Sequence, residues 1–412
     1  VIRDYFHTID LDPGFRVGEE GELKLLKRDV VEAVLEAFYE EGDDTFIHFV
    51  ESYATGRDDR KLEELILQLY EFSRSYPNPK KWLDSCAEQY NVQSVEELER
   101  RPFVLEMMHE VKHYLGDMRR LLEFGITICE EEDGPSMYRD ALICDLAFVL
   151  QLQNAVGFGE LQKQLFDVKW AKLAVCRDKQ VSEKKIQQVK DIRDEVKGLI
   201  KDISKQYFFD DVHEIQKEMA QSQENMQTLT KLVKTFADAF TEEKRHKNLI
   251  DFNDMEQYAL QILTREEGDD YVPSMVAESY QEKFAEIMID EYQDSNLVQE
   301  AILTSVSGVS KGIYNIFMVG DVKQSIYRFR LSRPELFMEK FHTYSLEDSH
   351  KQRIDLHKNF RSRQEVLRST NYVFEQIMVP DFGGIAYDEK AALYVGADYE
   401  EREGNETEVL IL

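Results

Sequence analysis

An α/β fold carrying a large all-helical insertion is what this 412-residue sequence predicts, and three observations predict it. Apolar residues recur at helical spacing through residues 1 to 245. Two short apolar runs, 287 to 289 and 313 to 319, end in polar residues and flank one helix-length segment, the pattern of a parallel βαβ unit. A third run, RIDLH from Arg353, leads into Asn359-Phe360-Arg361-Ser362 and opens a further unit.

The helical block shows several stripes. Leu23, Leu25, Leu26, Val30, Val31, Val34 and Leu35 form one; Leu62, Leu65, Ile66, Leu69 and Tyr70 form the next. The SYPNP turn at 75 to 79 separates two helices, because Pro77 and Pro79 fit inside neither. ALICDLAFVLQLQ (141 to 153) is interrupted by Asp145, so it reads as a core helix rather than a membrane span. Ile186, Val189, Val196, Leu199 and Ile203 make another stripe, and Ile215, Met219, Met226, Leu229, Val233, Phe236 and Phe240 a last one. Such spacings predict long antiparallel helices side by side. Beyond 284 the strands at 287 to 289 and 313 to 319 flank a helix from about Asn296 to Val306, and parallel strands of this kind are expected to be covered on both faces. Ser332 with Glu335 and Ser362 with Glu365 have capping-box spacing.

A net charge of −30 argues against a polyanion as partner, although it is a sum, and a nucleic-acid groove needs only a local basic and aromatic surface. Hydrophobic content of 42% excludes a disordered chain. Cys86, Cys129, Cys144 and Cys176 contain no C-x-x-C pair, which predicts buried free thiols in a reducing cytoplasm. No signal peptide or membrane-spanning run is present.

Chemistry is expected at the carboxyl ends of the strands, where open α/β sheets bind ligands. Asp290 and Glu291 in DEYQD are adjacent: one suits Mg²⁺, the other suits accepting a proton from an attacking water, and phosphoryl transfer uses both. After the second strand, Gly320 permits a tight turn, and Gln324 is an uncharged amide suited to a γ-phosphate or the lytic water. Tyr327, Arg328, Phe329 and Arg330 interleave aromatics with cations, the composition of a platform for single-stranded bases, at roughly 1–3 kcal/mol per stacked base. Arg361 is a candidate arginine finger. The phosphate-cradling loop G-x-x-x-x-G-K-[ST] is absent, since no Gly-Lys pair occurs anywhere.

DEYQD, GDVKQSIYRFR and KNFRSR, in this order and spacing, resemble motifs II, III and IV of superfamily 1 helicases of the UvrD/Rep type. LIDFNDMEQYAL (249 to 260) resembles the helix that precedes motif II there. More narrowly, MVGDVKQSIYRFRLSRPELF and VIRDYFHTIDLDPGFRV look like the AddA-type subunits of helicase–nuclease complexes. The resemblance implies a partial RecA-like P-loop sheet with helical subdomain 1B over 1–245, the remainder of motor domain 1A over 246–331 and the start of motor domain 2A over 332–412. It implies ATP and Mg²⁺ as cofactors, with Asp290 on Mg²⁺, Glu291 activating water, Gln324 sensing the γ-phosphate and Arg361 as finger. Tyr327, Phe329 and Arg330 are then contacts to DNA. Phe329 stands where relatives usually have Trp, and Leu331 where they have Gly.

The activity implied is a 3′→5′ DNA helicase acting in double-strand break repair and recombination. Its implied partners are DNA, as single strands and duplex ends, and an AddB protein, without a membrane. The absent phosphate loop and nuclease domain suggest an internal fragment, expected neither to hydrolyse ATP efficiently nor to cut DNA by itself. Two alternatives stay open: another UvrD- or RecB-like helicase, and a non-catalytic DNA-binding scaffold.

Overall fold

The computed structural model describes residues 1–54, 59–178, 180–267, 270–326, 331–379, 385–400, 404, 407, 408 and 410. It divides into two compact units, Val1–Leu83 with Lys231–Leu412, and Asp84–Thr230. The helical block seen in the sequence is therefore shared between them.

In Asp84–Thr230 the helices Pro102–Glu130, Arg139–Gln153 and Glu183–Tyr207 carry the core. Val111, Leu115, Met118, Leu122, Leu142, Val149, Val189 and Val196 are all completely buried in it. Gly125 allows a close approach, because a Cβ there would lie 2.7 Å from Leu142 Cδ2. Asp145, the polar interruption of the core helix, is buried and paired with Arg193, which also donates to the Ala171 carbonyl. The stripe from Ile215 to Phe240 is not one helix. It breaks at Ser222 between Val212–Gln221 and Gln223–His246.

In the other unit, Glu20–Glu41 and Arg60–Ser73 bury the stripes seen in the sequence, with Leu25 left exposed. Tyr70 meets Phe236 edge-on with ring centroids 5.1 Å apart. A strand that periodicity did not reveal, β1 (Arg16–Val17), runs parallel to β2 (Leu249–Ile250) and brings the N-terminal segment to the α/β part. There Ile9 and Leu11 share a small core with Ile250, Tyr258 and Ile262.

The helix Phe252–Leu263 opens with a reciprocal capping box, Asp251 accepting from Asp254 N–H and Asp254 from Asp251 N–H. The hairpin β3 (Thr264–Glu267) and β4 (Asp270–Pro273) follows, then β5 (Ile287–Ile289) and β6 (Ile316–Met318). These last two pair in parallel, with Met288 opposite Phe317, and enclose the helix Leu297–Val306 as expected. Their cover is one-sided: Ile287 packs against the small core of Leu263, Ala277 and Val306, while Met288 and Phe317 are 72% and 57% exposed. Among the described residues each sheet has two strands.

Three local expectations are corrected. RIDLH is not a strand: Ile354 and Leu356 stay exposed, and pairing begins at β7 (Lys358–Asn359), parallel to β8 (Tyr394–Val395). Neither serine capping box forms. Pro334 takes the first helical position of Pro334–Thr343, which makes Arg333 the cap and leaves Ser332 one residue early. Asn359 Oδ1 accepts both Arg361 N–H and Ser362 N–H, so Ser362 stays outside the helix Gln364–Ile377. Finally, of the four thiols only Cys129 is buried, and Cys144 is exposed.

Candidate active site

Hydrogen bonds between β5 and β6 align their carboxyl ends. Val319 N–H donates to Ile289 C=O at 2.8 Å, and past the strand Tyr292 N–H returns to Val319 C=O at 2.9 Å. Between those anchors the chain must reverse sharply, and Glu291 absorbs the turn with a left-handed φ of 50°. That conformation costs a non-glycine residue about 1–2 kcal/mol, and it persists because the flanking bonds over-determine it. Strain of this kind is concentrated where a side chain has to be aimed.

Asp290 and Glu291 both emerge exposed from this turn. Asp290 Oδ1 accepts Glu291 N–H at 3.0 Å. Glu291 Oε2 accepts from Gln293 Nε2 at 2.7 Å, and Gln293 is only 1% exposed. The other end of that amide crosses to the second strand end, where Asp321 N–H donates to Gln293 Oε1 at 3.0 Å. Gly320 makes room, since a Cβ there would lie 2.5 Å from Gln293 Oε1. Burial, followed by the charge of Glu291, raises the Asp294 carboxyl above its usual range.

On the second turn Gln324 does not extend freely. Its Nε2 donates to Asp321 Oδ2 at 3.0 Å, and Lys323 Nζ pairs with Asp321 Oδ1 at 2.8 Å. Burial pushes the Asp321 carboxyl upward, but the Lys323 and Gln324 bonds outweigh it and hold the group below the usual aspartate range. Arg361 lies after β7, exposed, and among the described residues no hydrogen bond or ion pair joins its guanidinium to Asp290, Glu291 or Gln324. Tyr327, Arg328, Phe329 and Arg330 lie outside the described residues.

Behind the turn, Tyr292 is buried and donates its hydroxyl to Glu300, which also takes Lys340 Nζ at 2.8 Å. Asn296 and Gln299 cap the helix Leu297–Val306 reciprocally, and both donate to Glu256 on the helix Phe252–Leu263, at 3.1 and 2.8 Å. The acidic turn is thus held from two sides by hydrogen-bonded helices. Among the described residues no cluster of three or more His, Cys, Asp or Glu side chains is arranged to hold a metal ion. One carboxylate remains compatible with Mg²⁺, which commonly takes one or two protein carboxylates plus substrate phosphates and water. Among the described residues no helix is long and apolar enough to cross a membrane.

A family model described as the UvrD/REP helicase N-terminal domain matches residues 126–345, more than half of the chain. The chain belongs to the UvrD/Rep helicase family. Asp290, Glu291 and Gln324 fall inside the match to that family, and Arg361 lies beyond it. Among curated relatives, the A subunit of an ATP-dependent helicase/nuclease from Lachnoclostridium phytofermentans is 44% identical, over 97% of this chain and 30% of its own length. Proteins of the same name from Geobacillus kaustophilus and Alkaliphilus oremlandii are 39% and 38% identical, over 100% and 97% of this chain. The chain spans about a third of the length of these relatives, 30–34%.

In this UvrD/Rep family member the sequence motifs single out Asp290, Glu291 and Gln324 as candidates, and the structure brings all three to neighbouring strand ends. The part played by Gln293 is one that sequence reasoning missed. Its signal is a polar amide directly after a buried tyrosine in a turn that otherwise carries only acids. A partner such as Asp321, 28 residues on, cannot be read from local spacing.

Proposed function

We propose that this chain supplies the reactive edge of an ATP-driven DNA translocase motor, one that moves 3′→5′ and acts in double-strand break repair within an AddA-type helicase–nuclease. The observation that carries the reading is the Asp290-Glu291 pair, aimed by a strained turn at the end of β5 and braced to the end of β6. The family match and the names of the relatives support it.

In this reading Asp290 is the Mg²⁺ ligand. Its carboxylate is a hard oxygen donor, exposed, with no ion pair among the described residues, which suits that ion. When bound there, such an ion would neutralise charge on the phosphate oxygens. Glu291 accepts the proton of the attacking water, and its bond from Gln293 leaves Glu291 Oε1 to face that water. Gln324 leaves Asp321 to meet the γ-phosphate, a contact that exists before hydrolysis and disappears after it. Arg361 reaches the same phosphate when its segment closes on the strand ends. Tyr327, Phe329 and Arg330 contact single-stranded bases. The residues here provide metal ligand, base and sensor, and not the phosphate cradle. The segments are assigned as subdomain 1B within 1–245, the remainder of motor domain 1A at 246–331 and the start of 2A at 332–412, with AddB as partner in the cytoplasm.

The test is Glu291→Gln in the intact protein, assayed for nucleotide binding and DNA-stimulated turnover. Binding is expected to persist and turnover to vanish. Undiminished ATPase activity refutes the role of Glu291.

A further inference from the structure

Gln293 joins the two strand ends through a single side chain. It is almost wholly buried, and both ends of its amide are used: the NH₂ donates to Glu291 Oε2 at 2.7 Å and the oxygen accepts Asp321 N–H at 3.0 Å. A second NH₂ contact, 3.4 Å to Asp294 Oδ2, places the donor between two carboxylates. A side-chain amide carries both donors and an acceptor on one planar, uncharged group. A glutamate there would lose the donor when ionised and repel Glu291. A lysine could not accept from Asp321. The absence of a Cβ at Gly320 preserves the space through which the amide passes.

The contacts continue from Asp321, whose carboxylate holds Gln324 at 3.0 Å. Glu291, Gln293, Asp321 and Gln324 therefore form one run of hydrogen bonds from the end of β5 to the turn after β6. We infer that Gln293 is a positioning residue that makes the Glu291 carboxylate and the Gln324-bearing turn move as one body, so that the base is aligned only when that turn is in place. This rests on the assignment of Glu291 as the base. Gln293 touches no reacting atom; it acts by fixing one carboxylate oxygen and one backbone amide.

The test uses the intact protein with single-stranded DNA and compares Gln293→Met, Gln293→Glu and Glu291→Gln. Methionine fills the same volume without donor or acceptor, and glutamate keeps the acceptor alone. Both are expected to lower kcat by about 10- to 100-fold, the range seen when partners that orient a catalytic group are removed, with KM for ATP unchanged and the protein still folded at the assay temperature, although loss of the buried hydrogen bonds lowers the thermal midpoint. Wild-type kcat in Gln293→Met overturns the inference, because volume alone then suffices. A raised KM for ATP, or loss of the folded state at the assay temperature, accompanying the fall in kcat also overturns it, because the role is then ordinary packing. If Glu291→Gln retains turnover, the assignment of the base fails and this inference with it. If Glu291→Gln is inactive while Gln293→Met is active, only this inference fails.

Discussion

Lys244 and Asp254 form an ion pair inside the protein, with the ammonium side chain 0% and the carboxylate side chain 2% exposed. Lys244 also donates to Asp251 at 2.7 Å and lies 4.4 Å from the centre of the Phe240 ring. Arg74 completes the group, donating to Asp254 Oδ1 at 3.1 Å. Two acids at the start of the helix Phe252–Leu263 are thereby paired with cations from the ends of the helices Arg60–Ser73 and Gln223–His246.

Removing the lysine leaves two carboxylates buried with one cation. Lys244→Met is expected to destabilise the protein by about 3–5 kcal/mol, the usual cost of breaking a buried pair from one side. Lys80→Met breaks an exposed pair with Asp238 and is expected to cost about 1 kcal/mol or less. Urea unfolding of both variants checks this, and equal midpoints would show that the buried pair has no special weight.

Gly320→Ala places a Cβ 2.5 Å from Gln293 Oε1 and 3.0 Å from the Phe337 ring. The buried amide must shift, at a cost of about 1–3 kcal/mol for overpacking. The expected outcome is a lower thermal midpoint together with reduced turnover. An alanine variant with unchanged kcat would mean that the turn after β6 adapts without disturbing Glu291.

The Asp321 carboxyl is held below its usual range, so its contribution to stability is present above the unfolded-state value and is lost as pH falls through the folded value. Lys323→Ala removes one of the bonds that outweigh burial. Carboxyl NMR titration is expected to show the Asp321 midpoint moving upward in that variant, with acid unfolding of the surrounding turn beginning at higher pH. An unmoved midpoint would assign the depression to Gln324 alone.

Burial, with the charge of Glu130 adding to it, raises the Cys129 thiol to about 11, and its side chain is completely buried. Cys144 is exposed. A thiol reagent near neutral pH is expected to label Cys144 at once and Cys129 only on unfolding, since the thiolate is the reactive form. Mass spectrometry of the labelled peptides reads the order, and early labelling of Cys129 would show that the helix Pro102–Glu130 opens readily.

Features carried by neighbours in the chain are legible from the residues alone. The strand Ile287–Ile289, the helix after Asn296 and the helix after Asp251 follow from apolar runs and caps within a few residues of each other. Local signals mislead where another local rule is stronger: Pro334 displaces the cap expected at Ser332, and the Asn359 side chain holds Ser362 out of its helix.

By itself, the order of residues determined the helical character of most of the chain, the strand Ile287–Ile289 and which acids, amide and guanidinium are available for chemistry, because those properties depend on short-range periodicity and side-chain type. Tertiary structure alone decided that Arg16 pairs with Leu249, that Lys244 is buried against two aspartates, and that Gln293 reaches Asp321. Each of these contacts forms only after the intervening chain has folded back. Partners are then selected by shared space and unsatisfied hydrogen bonds, and not by distance along the chain.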